Sequence, residues 1–164
     1  MILNEDLRFE DADLSTRRAF LRAPEKVLLP ARVRLYKWTN RSLSDDIGRI
    51  SPWWSFVEST RLPSGTIVEG FRVSEERAAR LQRSHREFAR ARAAISEQFG
   101  NTMTDLLIVR LILPAWGFAG PASGQREFAD HRTDLQQVFL IGGAHQIWVP
   151  NLTLRHVTTV PVSG

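Results

Sequence analysis

Gln136–Pro150, QQVFLIGGAHQIWVP, is the stretch on which the fold turns. Two short apolar runs, Val138–Ile141 and Gln146–Val149, flank Gly142-Gly143. Glycine pairs between alternating apolar runs are a hairpin signal, because a two-residue turn that continues the strand twist needs positive φ at its centre. The spacing therefore predicts two antiparallel strands joined at Gly142-Gly143. A polar pair, Gln136 and Gln137, stands immediately before the first of them.

Outward from this stretch, DLLIVRLIL (105–113) is a nearly continuous apolar run broken by Arg110, the pattern of a central strand covered on both faces. PAWGFAGPASG (114–124) is rich in Pro and Gly and reads as a loop. TLRHVTTV (153–160) reads as an edge strand. Upstream, VRLYKWT (33–39) has strand alternation, with Val33, Leu35 and Lys37 on one face and Arg34, Tyr36 and Trp38 on the other. TIVEGFRV (66–73) is a further strand candidate.

Two segments read as helices. Residues 3–22 place Leu7, Leu14 and Leu21 seven apart. Residues 74–99 start with Ser74 as a cap and Glu75 and Glu76 in the positive first turn, and carry Leu81, Phe88, Ala91, Ile95 and Phe99 on one stripe before Gly100. The other faces carry Arg77, Arg80, Arg83, Arg86, Arg90 and Arg92, as either a phosphate-binding or a solvated surface. The order of helix, strands, long helix and strands predicts a single α+β domain over residues 1–164.

Composition narrows the chemistry. The chain has no cysteine, which excludes thiol catalysis and thiolate metal sites. His85, His131, His145 and His156 show no HxH or HExxH spacing, so the sequence points to no metal. The net charge of +4 comes almost wholly from arginine, with Lys26 and Lys37 the only lysines. Arginine suits phosphate and carboxylate through its planar fork. No stretch is apolar for long enough to span a bilayer as a helix, and the acidic, polar start does not resemble a secretory signal. These readings predict no membrane partner and either a cytoplasmic location or delivery within a larger toxin.

LYKWT (35–39), SPWWS (51–55), LIVRLILPAWG (107–117) and LQQVFLIGG (135–143) follow one another in an order that resembles the ADP-ribosyltransferase fold, particularly its bacterial toxin branch. Members of that family open with a strand ending near Leu-Tyr-Arg or Leu-Tyr-His. A serine- or tyrosine-bearing segment follows, then a Pro-Gly strand, a loop, and a Gln/Glu-x-Glu strand. The resemblance implies split antiparallel sheets around an NAD-binding cleft. It implies transfer of ADP-ribose from NAD, as substrate, to a macromolecular acceptor.

On this resemblance Lys37 takes the Arg or His position, keeping the charge for phosphate but losing the bidentate fork. Gln137 takes the place of the catalytic glutamate in one register. In the other, GQREF supplies Gln125-x-Glu127, with Glu127 as the carboxylate. An amide at Gln137 can hold a ribose hydroxyl but cannot stabilise an oxocarbenium-like cation by charge. The loss of one such electrostatic group costs about 10²–10³ in rate. Gln137 would then mark a weakened enzyme, a non-enzymatic descendant or an introduced Glu→Gln change.

Tyr36, Trp38, Ser51, Trp53, Trp54 and Ser55 are the expected lining of the dinucleotide site. Adjacent tryptophans in a strand point to opposite faces, so one ring can pack inside while the other lines a cleft. Both can equally be core. His145 is a further acid or base candidate in the expected turn. Two other functions compete: a nucleic-acid-binding module using the arginine-rich helix, and a small protein-interaction domain, for example an immunity partner, using SPWWS as an aromatic anchor; for the toxin reading itself a cognate immunity protein is an expected partner.

Overall fold

The computed structural model describes residues 1–39, 42–80, 84, 105–123 and 145–161, together with the backbone of 125–128 and 137–140. Its class is mainly β. The elements are a 3₁₀ turn (Phe9–Asp11), α1 (Leu14–Arg18), β1 (Glu25–Leu29), β2 (Arg34–Thr39), β3 (Trp53–Phe56), β4 (Thr60–Arg61), β5 (Ile67–Val68), α2 (Phe71–Arg80), β6 (Asp105–Leu111), β7 (Ala115–Pro121), β8 (Gln125–Phe128), β9 (Gln137–Leu140), β10 (His145–Trp148) and β11 (Val157–Val160).

Seven strands form one sheet in the order β1-β7-β10-β3-β2-β6-β11, every neighbouring pair antiparallel. β1 and β2 are joined only by Pro30–Val33, yet lie four places apart in that order. Strands spaced about 4.8 Å apart would separate them by roughly 19 Å in a flat sheet, about the full reach of that connection. The sheet is therefore curled. Its concave face pools Val27, Leu29, Leu35, Trp54, Phe56, Val109, Leu111, Ala115, Ala119, Ile147 and Val157 into one buried cluster drawn from all seven strands. The β4–β5 hairpin adds Leu62 and Val68 to it. The tip of that hairpin is tied to β1, where the Glu25 carboxylate accepts from Ser64 N (2.7 Å) and Ser64 Oγ (2.6 Å).

The convex face is covered in two places. The N-terminal segment lies over β7, β10 and β3, where Ala12 and Phe20 join Phe118 and Trp148 in a second cluster, with Leu7, Phe9 and Trp53 against it. Phe9 stacks near Phe20 (5.7 Å), Phe118 (5.4 Å) and Trp148 (6.5 Å), and Phe20 near Trp53 (5.6 Å). Over β2, α2 brings Phe71 edge-on to Tyr36 at 5.0 Å.

Several expectations are corrected. The α+β class gives way to mainly β, because the 3–22 segment is helical only over Phe9–Asp11 and Leu14–Arg18. Its Leu7-Leu14-Leu21 spacing is not a buried helical stripe: Leu14 and Leu21 are exposed. The TIVEGFRV strand is cut to Ile67–Val68, and Phe71–Val73 belong to α2. Ser74 is therefore inside α2 and not its cap. Beyond Arg80, the expected arginine-rich helix lies outside the described residues apart from Ser84.

PAWGFAGPASG is not a loop; Ala115–Pro121 is β7, buried almost throughout. Its glycines serve close packing, Gly117 against the neighbouring strand β10 and Gly120 against the N-terminal segment. A Cβ on Gly117 would meet Trp148 O at 2.9 Å, and one on Gly120 would meet Phe20 Cδ1 and Pro24 Cα at 3.1 Å. The Gly142-Gly143 hairpin is also corrected. β9 pairs with β8, while β10 pairs with β7 and β3. β7–β10 registers Pro121 with His145, and β8–β9 registers Gln125 with Leu140. β8 and β9 form a two-stranded sheet of their own. The two glycines themselves lie outside the described residues.

Candidate functional site

β2 and β3 are in register at Leu35↔Phe56 and Tyr36↔Ser55. Past this short ladder the next β2 residue is Lys37, on the concave face with Leu35 by strand alternation. Its Nζ donates to Ser51 Oγ at 2.8 Å and lies 5.3 Å from the centroid of the Trp54 ring. Ser51 is positioned by the turn into β3, where its carbonyl accepts from Trp54 Nε1 (2.7 Å) and its Oγ from Trp53 N (3.4 Å). Lys37, Ser51 and Trp54 therefore meet at the fork between two strands. An ammonium held by an indole face and a hydroxyl keeps its charge at a defined point, which suits an anion such as a phosphate.

The two tryptophans divide as strand alternation requires. Trp54 is 2% exposed and belongs to the concave core. Trp53 is half-buried on the convex side, near Phe20 and 6.5 Å from Trp148. Tyr36 and Ser55 also face the convex side. The Tyr36 hydroxyl is bonded to Ser55 and to Ser74 of α2, and burial pushes its ionisation up to about 12. These two residues link β2, β3 and α2. Trp38 follows on the same face of β2 and is half-buried.

The third strand of the site is β10. It lies directly beside β3, with Ile147 opposite Trp54 and Trp148 opposite Trp53. Gln137 and Glu127 lie instead on the β8–β9 ribbon, opposite Phe128 and Val138 respectively. Neither residue is in register with β2 or β3.

Sequence reasoning missed Gln146, the polar residue of β10 level with Ser55 and Tyr36. Its Nε2 donates to Ala19 O of the N-terminal segment at 2.9 Å. The expected strand Gln146–Val149 already held it, but its partner Ala19 comes from a segment distant in the chain. Thr39 was missed too. It is 5% exposed and opposite Asp105, one concave-face position beyond Lys37. His145 begins β10 on the concave side with Ile147, in a strand and not a turn.

Of the helix arginines, Arg77 pairs with Glu69 and Arg80 ends α2; Arg83, Arg86, Arg90 and Arg92 lie outside the described residues. Among the described residues no group of three or more acidic or histidine side chains could hold a metal ion, and no helix is long and apolar enough to cross a membrane. The chain matches no family model, no curated protein and no solved structure.

Proposed function

We propose that this chain is an ADP-ribosyltransferase-like domain of the toxin or effector kind, which binds NAD as a substrate and directs its ADP-ribose to a macromolecular acceptor. The observation that carries the reading is the meeting of Lys37, Ser51 and Trp54 where β2 and β3 part. LYKWT and SPWWS occupy neighbouring strands, β2 and β3, while LQQVFLIGG contributes β9, which pairs with β8. A substrate lying at that fork would meet residues from LYKWT and SPWWS.

In this reading the Lys37 ammonium binds the pyrophosphate and Ser51 holds the ammonium in place. The position of the catalytic glutamate is taken by Gln137 of β9, an amide. An amide can hold a ribose hydroxyl while leaving the developing cation without a counter-charge. Turnover is therefore slow, by about 10²–10³ relative to a carboxylate.

The test is incubation with NAD labelled in the nicotinamide, with release of the label and quenching of tryptophan fluorescence read together. Slow release should rise on Gln137→Glu and fall on Lys37→Ala. Neither binding nor release, in the wild type and in Gln137→Glu, would end this reading.

A further inference from the structure

The turn that leads into β11 closes on a histidine used as an acceptor. His156 Nδ1 accepts from Thr153 N at 2.9 Å and lies 3.1 Å from Thr153 Oγ1, while His156 N donates back to Thr153 O at 2.9 Å. A ring nitrogen that takes a backbone N–H must offer a lone pair, so the ring is neutral and carries its hydrogen on Nε2.

That turn seats the chain that enters the fork. Leu154 N donates to Gly48 O (3.0 Å), Arg49 bridges Thr153, and Ile50 N donates to Leu152 O (3.0 Å). The next residue is Ser51, whose Oγ accepts from Lys37 Nζ. On its other side the turn is fixed to the end of β6, where Ile112 N donates to His156 O (2.8 Å).

A proton on Nδ1 converts this acceptor into a donor. Thr153 Oγ1 can rotate to receive the new N–H, but the Thr153 amide then faces a donor and loses its partner. An opened turn gives that amide to water instead. The surroundings also oppose the proton: burial and the neighbouring Arg155 hold the imidazole below its ordinary 6.5. Among the described residues, the other charged groups on the segments around the turn are Asp45 and Arg49, which pair at 2.9 Å, exposed Asp46, Arg110 of β6, and Arg32, whose amide donates to Leu111 O.

We infer that His156 is a proton-operated latch. Neutral, it holds the 153–156 turn and the 48–50 segment together; protonated, it releases both and frees Ser51 from its fixed place beside Lys37. The latch is independent of what the fork binds. The open turn takes a proton at the ordinary histidine value and the closed turn only below it. The closed state is therefore complete above about pH 6.5 and is lost as pH falls through that value, by up to about tenfold per pH unit.

Hydrogen exchange of the full chain, followed amide by amide from about pH 7.5 to 5 and corrected for the intrinsic rate, reads the latch. Protection at Leu154 and Ile50 should fall at least about fivefold on acidification. Leu62, bonded to Thr66 O in the β4–β5 hairpin, should keep its own. His156→Asn places an oxygen where Nδ1 stands and cannot take a proton, so its protection should stay level while the remaining histidines titrate as before. Asp45 titrates below this window, because hydrogen bonds from Arg49 and Ile47 hold its carboxyl below 3.8. Ring nitrogen shifts of wild-type His156 at about pH 7.5 should place the hydrogen on Nε2. Four results would each overturn the proposal: unchanged protection at Leu154 and Ile50, an equal fall at Leu62, the same loss in His156→Asn, or a neutral ring with its hydrogen on Nδ1.

Discussion

At the residue scale, Lys37 shows how much the alternation of one strand can determine. VRLYKWT places Leu35 and Lys37 on one face and Tyr36 and Trp38 on the other, and β2 keeps that division. What lies on each face was not legible, because it depends on strands distant in the chain. Lys37→Ala should lower NAD affinity about tenfold, as loss of a charged hydrogen-bonding group does, while Lys37→Arg retains most of it; fluorescence titration reads both.

Tyr36 is the only tyrosine in the chain, so its ionisation can be followed alone by phenolate absorbance. Burial holds the phenol neutral in the folded state up to about 12, against 10.0 as the ordinary value. A raised folded value means that its contribution to stability is complete below pH 10 and is lost as pH climbs towards 12. Chemical denaturation across that window should show stability falling by on the order of 2 kcal/mol in the wild type, and a flatter profile in Tyr36→Phe. Arg32 offers a cleaner gain. It sits at φ 78° in the turn between β1 and β2, where a side chain crowds the backbone. Arg32→Gly should leave stability unchanged or raise it by up to about 1 kcal/mol, read by thermal melting.

At the element scale, the errors of sequence reading share one cause. Gly and Pro were taken as turn signals, but in β7 the glycines answer to close neighbours, the adjacent strand at Gly117 and the N-terminal segment at Gly120. Gly117 has Trp148 O and Val149 Cγ2 where a Cβ would go, and Gly120 lies under Phe20 and Pro24. Gly117→Ala should therefore destabilise by about 1–3 kcal/mol through overpacking of the β7–β10 layer, seen as a lower denaturation midpoint.

The N-terminal segment is the reverse case. Its leucine spacing suggested a long helix, yet its fold is decided by Phe9 and Phe20 reaching the aromatic face of Phe118, Trp148 and Trp53. Phe20→Ala should cost about 3 kcal/mol, as emptying a buried aromatic site does, and should speed tryptic cleavage after Arg17, Arg18 and Arg22. Unchanged proteolysis would show that Phe20 does not hold this segment down.

At the scale of the whole molecule, the concave core belongs to no single element. Leu35, Val109, Ile147 and Leu29 come from four different strands and are each at most 1% exposed. The chain should unfold in one transition, with far-ultraviolet dichroism and tryptophan emission superimposing. Leu35→Ala should move both signals together by about 3 kcal/mol. Separate transitions would contradict a shared core.

The sequence by itself determined the alternation of β2, the opposed faces of Trp53 and Trp54, and the strand nature of 105–111 and 157–160, because these follow from local stereochemistry with period two. Only the tertiary structure decided that β10 pairs with β3 and β7, that β9 pairs with β8, and that Lys37 meets Ser51 and Trp54. Strand partnership depends on hydrogen bonds between residues far apart in the chain. QQVFLIGGAHQIWVP holds two strands, as its composition indicates. Which neighbour each one takes is settled by the curled sheet and the core it encloses.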